Sequence, residues 1–138
     1  MATGLRSFIG GGVNNRASGS RATVSGGDDN AASGDRATVG GGRGNRASGD
    51  YSAVGAGQDN TASTGTHATV GGGLSNTASN NYSAVGGGQD NIASGQYSTI
   101  SGGRSNAASN SYSTVGGGIN NNASGQYGTI SGLSLIHI

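Results

Sequence analysis

Asparagine, alanine and a β-branched residue recur at matching places in eight successive units of this chain. Successive asparagines are 15 residues apart, with a single interval of 16. A short, fixed period of this kind predicts a solenoid in which each unit forms one coil. An Ala stands two residues after each Asn; the asparagines are Asn15, Asn30, Asn45, Asn60, Asn76, Asn91, Asn106 and Asn121, and the β-branched residues are Val24, Val39, Val54, Val70, Val85, Ile100, Val115 and Ile130.

The alternation within each unit predicts which side chains face the core. In an extended segment, residues two apart share a face. The Asn and its Ala therefore lie on one face, as do the β-branched residue and a small residue two positions before it. These uniform, small residues are predicted to point inward, and the asparagines to stack as an internal ladder in which each side-chain amide bonds the next coil or a corner backbone group. The alternate positions are bulky and varied, so we expect them to point outward: Arg21, Arg36, Tyr51, His67, Tyr82, Tyr97, Tyr112 and Tyr127.

Two glycine-rich corners separate the short strands. One corner carries Gly after the recurrent Ser, and Asn80 and Asn110 replace that Gly in two units. Because Asn is the residue that best tolerates a left-handed backbone after Gly, a positive φ is expected there. The second corner ends in Gly in every unit, and we expect a positive φ there as well. The extra residue of the array falls in Ser63–Thr66 at the first corner, where a turn absorbs it without a register shift.

These patterns predict an all-β protein, a parallel β-roll or β-solenoid of about eight 15-residue coils. Residues 1–12 form a partial first coil, residues 13–132 the eight-coil array, and residues 133–138 a non-repeat tail. The tail is either a capping strand or, as we favour, a segment resembling translated sequencing-adapter sequence, beyond which the true protein would continue. Since the array is under way at the first residue, Met1 is then an internal or artificial start.

The composition excludes an ordinary globular core. The 138 residues include 31 Gly and no Pro, Cys or Trp. Such a composition is also typical of disordered chains, but disorder does not require columns in fixed register. One Ala and one Val per coil bury little apolar surface against the entropy of ordering a whole coil, so we expect lateral self-association. The net charge of +1 gives no polybasic signal for nucleic acid or a membrane surface.

No catalytic constellation is present in the sequence, and we predict a non-enzymatic protein without cofactor or metal. The chain has no Cys, Glu or Lys, and its two histidines are His67 and His137. The six Asp residues do not recur in register, as a periodic metal site would require. In the first third, Arg21 and Arg36 are neighbours in the outward column. Asp35 and Asp50 beside them indicate a solvated face.

The recurrent Asn-x-Ala-Ser-Gly-x-Tyr-Ser and Val-Gly-Gly-Gly segments resemble the head repeats of YadA-type trimeric autotransporter adhesins. Residues 91–98 show the first segment most clearly, and the likeness covers residues 7–132. Related repeats occur in bacterial surface proteins and phage tail fibres. The resemblance implies a left-handed roll, a homotrimer and a place outside the cell, on its surface, in contact with a host or environmental glycan or matrix protein.

The sequence thus favours a structural and adhesive head segment that acts as a rigid spacer and contact surface. The candidate contact face is the row of tyrosines, Tyr51, Tyr82, Tyr97, Tyr112 and Tyr127. Such a row is a possible platform for sugars or a partner, and cross-strand stacking that stabilises the sheet is the alternative. Two other functions stay open: an ice-binding solenoid with an outward Thr ladder, and a self-assembling filament subunit.

Overall fold

The computed structural model describes residues 1–134 as two parallel sheets that run the length of the array. The first, which we call the Val sheet, has nine strands of two residues each. They are Phe8–Ile9, Thr23–Val24, Thr38–Val39, Ala53–Val54, Thr69–Val70, Ala84–Val85, Thr99–Ile100, Thr114–Val115 and Thr129–Ile130. Each strand pairs in register with its equivalent in the next coil, so Val24 lies beside Val39. The predicted parallel β-solenoid is confirmed.

The second sheet, which we call the Ala sheet, has eight parallel strands. They are Arg16–Ala17, Ala31–Ala32, Arg46–Ala47, Thr61–Ala62, Thr77–Ala78, Ile92–Ala93, Ala107–Ala108 and Asn122–Ala123. A third ladder, not foreseen from the sequence, consists of isolated parallel bridges through Val13, Asp28, Arg43, Gln58, Leu74, Gln89, Arg104 and Ile119. Its members include charged, polar and apolar residues, so no recurrent residue type in the sequence predicted this ladder.

The core is a file of small side chains stacked coil on coil. The Ala of each Ala-sheet strand and the Val or Ile of the Val sheet are buried through the eight coils, except that Ile130 at the last strand is partly exposed. The small residue two positions before each Val is also buried, as at Ala22, Ala37 and Ser98. The predicted inward faces are therefore confirmed. Because every core position repeats, one coil contributes the same thin apolar layer as the next.

A ladder of buried asparagines joins the coils. Asn91 donates its side-chain amide to the Gly87 carbonyl at 3.0 Å in its own coil and to the Gly103 carbonyl at 2.8 Å in the next. Its Oδ1 accepts the backbone N–H of Asn106 at 3.0 Å. The same pattern recurs along the column. The predicted internal Asn ladder is thus present, and each side chain bonds both to corner backbone and to its neighbour.

Two features favour glycine at the end of each triplet: its backbone has a positive φ, and there is no space for a Cβ atom. Its φ lies between +81° and +93° in all eight copies, from Gly12 to Gly118, which confirms the expected positive φ. A Cβ on Gly88 would stand 2.1 Å from the Gly103 carbonyl oxygen and 2.8 Å from Nδ2 of Asn91. The corner therefore packs backbone directly against the asparagine ladder.

The prediction of a positive φ at the Gly after each Ser was wrong. Gly19 and its equivalents have ordinary φ, and the left-handed residue lies two positions later, at Arg21 with φ +56°. At Gly19 the reason for glycine is space: a Cβ there would stand 1.9 Å from the Gly34 carbonyl oxygen of the next coil. At Asn80, the side-chain amide instead bonds the Ser94 carbonyl across the same gap, at 3.0 Å.

The one 16-residue coil keeps its register, as predicted. Ala62 pairs with Ala78 and Val54 with Val70, so both sheets pass the insertion without a shift. The extra residue lies in the turn around Thr64, whose hydroxyl donates to the Ser79 carbonyl at 2.7 Å. The turn absorbs the additional length at the surface.

The segment after the last repeat begins with a strand. Leu133–Ser134 pairs in parallel with Gly118–Ile119, which belongs to the line of the third ladder. The rest of the predicted tail, residues 135–138 with His137, lies outside the described residues. Whether the tail is a cap or a foreign segment stays a prediction.

Replacing Asn91 by Ala should lower the free energy of unfolding by about 3 to 5 kcal/mol, because the buried N–H of Asn106 loses its acceptor and the part-buried carbonyls of Gly87 and Gly103 each lose a hydrogen bond. Chemical denaturation followed by circular dichroism measures the change. The control is Gln96→Ala at an exposed turn position, expected to stay within about 0.5 kcal/mol. Equal effects of the two substitutions would contradict a special role for the buried ladder.

Candidate contact surface

One planar, polar side chain per coil lines the side of the solenoid next to the Val sheet. We call this set the Arg–aromatic column. Its backbone is left-handed throughout, with φ between +54° and +62°. The members are Arg6, Arg21, Arg36, Tyr51, His67, Tyr82, Tyr97, Tyr112 and Tyr127. The structure therefore brings all five sequence-predicted contact tyrosines into one line, and it adds Arg6, whose place was visible only by aligning the partial first coil.

The six rings form a continuous stack. Tyr51 and His67, and His67 and Tyr82, have ring centroids 4.9 Å apart, and the following tyrosine pairs are 5.0 Å apart. The angles between ring planes lie between 1° and 12°. Aromatic pairs at this spacing attract one another beyond their burial. The cross-strand stacking considered from the sequence is thus the arrangement adopted.

Stacking decides which part of each tyrosine meets solvent. Both faces of an inner ring lie against its neighbours, while the five tyrosines remain between 41% and 66% exposed. The exposed parts are consequently ring edges and phenolic hydroxyls. A ligand approaching the side of the column meets a row of hydroxyls one coil apart and not a set of open ring faces.

The column changes chemistry at its N-terminal end. The Arg36 guanidinium lies 5.0 Å from the Tyr51 ring centroid and bonds the Tyr51 hydroxyl, so it continues the stack. Arg36 also forms an ion pair with Asp35 at 3.2 Å. Among residues 1–134, Arg6 and Arg21 have no acidic partner. We expected Asp35 and Asp50 to neutralise Arg21 and Arg36. Asp35 pairs with Arg36 alone, and Asp50 accepts the backbone N–H of Asp35.

A flat strip runs beside the column on the outer face of the Val sheet. Two residues after Arg6 stands the exposed Phe8. Two residues after every other column member stands a Thr or Ala, such as Thr38 or Ala53, and two residues further stands an exposed Gly or Ser, such as Gly40 or Ser101. Because alternate residues of an extended segment share a face, the long side chain of the column member, the short Thr or Ala and the Gly or Ser lie next to one another. The result is a shallow lane along the rod with the Arg–aromatic column as its wall.

The left-handed backbone of this column was missed by sequence reasoning. A left-handed conformation costs a non-glycine residue roughly 1 to 2 kcal/mol, and Arg and Tyr carry no sequence signal for it. A second left-handed column was detectable, because six of its eight members are Gly, Asn or Asp, which tolerate this conformation. Its members are Asn14, Asp29, Gly44, Asp59, Ser75, Asp90, Ser105 and Asn120.

The surface offers no converging chemistry in the part of the chain that the structure describes. No group of three His, Asp, Glu or Cys residues is arranged to hold a metal ion there. Within the same residues, no helix has the length and hydropathy that crossing a bilayer demands. Instead, each coil contributes one side chain to each column, and the columns run along the solenoid.

Residues 22–34 match the family model of the ubiquitous surface protein adhesin repeat. The matched segment covers the Ala22 to Val24 strand region, the glycine corner, the ladder Asn30 and the start of the next turn. Since the same columns recur in every coil, the repeats of this chain are similar to surface adhesin repeats. Among curated proteins, none matches the chain. The repeat match and the solenoid fold point to a structural protein.

Replacing Tyr97 by Ala should lower the free energy of unfolding by about 1 to 3 kcal/mol, because contacts with both Tyr82 and Tyr112 are lost. Tyr97→Phe keeps the ring and should stay within about 0.5 kcal/mol. Urea denaturation of both variants measures the difference. If Tyr97→Ala were as stable as the parent chain, the parallel rings would be a by-product of coil geometry without stabilising effect.

Proposed function

We propose that this chain is a head segment of an extracellular trimeric adhesin or fibre, acting as a rigid spacer and a contact surface. The observation that carries the proposal is the surface adhesin repeat matched at residues 22–34, in a coil whose geometry is repeated along the array. The match supports a place at the cell surface. Over residues 1–134 the coils stack in two continuous parallel sheets, as suits a segment whose role is to extend and to present.

The ladder pairing supports the proposed spacer role. Successive coils are related by in-register parallel strands, so each adds one interstrand spacing of about 4.8 Å. Eight coils then give a rod of roughly 40 Å. Two sheets, a bridge ladder and the buried Asn column all cross each coil boundary. Bending at one boundary would disturb all of these contacts at once, which makes the segment stiff.

Trimer formation gains support from the outer face of the Ala sheet. On this face the partly buried Ala107 lies beside Ile92, which is 48% exposed. The partly buried Ala31 lies between Arg16 and Arg46. A thin core of Ala and Val leaves the single coil with little apolar burial of its own. Packing this face against equivalent copies would bury Ile92 and leave the Arg–aromatic column free for an external partner.

The mass in solution tests this proposal. Light scattering should give three times the chain mass of 13.1 kDa, since 3 × 13.1 is 39.3 kDa. Ile92→Asp should shift the mass towards the monomer, because an unpaired charge cannot be buried cheaply at the seam. The control, Thr99→Asp on the outer face of the Val sheet, should remain trimeric. A folded monomer of the parent chain, shown by circular dichroism, would overturn the trimer.

Ice binding is the second candidate, favoured by the Thr ladder. Thr99, Thr114 and Thr129 are adjacent and in register on the outer face of the Val sheet. Ala53 and Ala84 interrupt the ladder, and the Arg–aromatic column rises beside it. Thermal hysteresis separates the two functions: hysteresis that is lost in Thr114→Tyr would favour ice binding, and its absence from the parent chain would eliminate it.

A further inference from the structure

We propose that the lane beside the Arg–aromatic column binds an extended glycan chain that carries carboxylates, with one uronate held at Arg6 and Arg21 and the following sugars along the tyrosine hydroxyls. The inference rests on the proposed contact role of this surface and names the chemistry of its ligand. Its starting point is the juxtaposition of two arginines lacking an acidic partner in residues 1–134 with a row of stacked tyrosines.

The arginine end supplies the anion contact. Arg6 and Arg21 are exposed and occupy neighbouring coils of one column. At an interstrand spacing of about 4.8 Å, two guanidiniums bracket a single carboxylate, and guanidinium forks donate paired hydrogen bonds to such a group. Arg36 differs because it is already engaged with Asp35 and Tyr51. The anion site is therefore confined to the first two coils of the column.

The tyrosine end supplies neutral hydrogen bonds at a regular interval. Ring centroids from Tyr82 to Tyr127 repeat every 5.0 Å. An extended β-linked glycan advances by a comparable length per sugar, so hydroxyls of successive sugars meet successive phenols. Phenolic hydroxyls both donate and accept, which suits sugar hydroxyls. Beyond Phe8, which is exposed next to Arg6, the short Thr, Ala, Gly and Ser residues of the lane leave room for the sugar rings next to the column.

Two other linear polymers fit less well. An extended peptide advances 3.2 to 3.4 Å per residue, which does not keep step with the coils, and strand addition needs a free sheet edge along the side of the rod, where the two sheets present faces. Single-stranded nucleic acid binds by stacking its bases on aromatic faces. Here neighbouring rings cover those faces, and the chain's net charge is only +1.

The test is titration of the full chain, at low salt, with a hyaluronan oligosaccharide long enough to span the column. Cello-oligosaccharide of equal length is the uncharged glycan probe, and single-stranded polythymidylate is the nucleic acid probe. We expect saturable binding of hyaluronan, weaker by about tenfold for Arg21→Gln, since bonds to charged groups are the stronger ones. Tyr97→Phe, which keeps the stack, should weaken binding by about threefold.

Arg43→Gln is the matched control, because Arg43 is exposed on the bridge ladder and its replacement changes the net charge equally. It should bind hyaluronan like the parent chain. Equal loss in Arg43→Gln and Arg21→Gln, equal binding of cello-oligosaccharide, tighter binding of polythymidylate, or no binding of hyaluronan would each overturn the inference. A trimeric mass measured on the same sample would then still support the fibre proposal, so the two failures are distinguishable.

Discussion

Hydrogen bonding between successive coils is the constraint on which this structure depends. Every backbone ladder runs along the rod axis, and the buried asparagines add side-chain bonds across the same boundaries. An amide that satisfies a corner carbonyl in its own coil and another in the next coil ties the turn to the stack. With so little apolar material in each layer, correct pairing of these polar groups decides whether the coils stay in register.

This axial pairing turns each sequence position into a straight column with a fixed interval. The interval is near 5 Å for the stacked rings, close to the normal distance between paired strands. Planar side chains therefore stack without further adjustment once the coil is formed. The stacking helps to offset the left-handed backbone that these bulky residues adopt, so a conformational cost and a packing gain occur at the same residues.

A structure made of columns distributes chemistry in lines and not in clusters. The most prominent polar features are rows: arginines followed by aromatic rings on one side, and threonines with alanines beside them. Such rows suit extended partners, flat surfaces or copies of the same chain. The surface adhesin repeat match and the solenoid geometry both point to a structural protein. The ligand class has to be argued from spacing and charge.

The sequence by itself determined the period, the inward columns, the Asn ladder and the positive φ of the last glycine in each triplet. It also located the turn where one extra residue is inserted without a shift in strand register. Each follows from local rules: alternation along a strand, size, and residues that tolerate special dihedrals. The sequence also placed the five contact tyrosines in one column. It did not reveal the bridge ladder, whose members share no property, or the true reason for Gly19, which is the approach of the next coil.

Only the tertiary structure decided how the outward residues meet. The tyrosine row could have been an open platform or a stack, and the distance between neighbouring coils settled it as a stack. The same distance left Arg6 and Arg21 adjacent while Asp35 turned to Arg36. The stacking contacts join residues about fifteen positions apart, and their geometry depends on how the backbone turns at each corner, which no single unit of the sequence specifies.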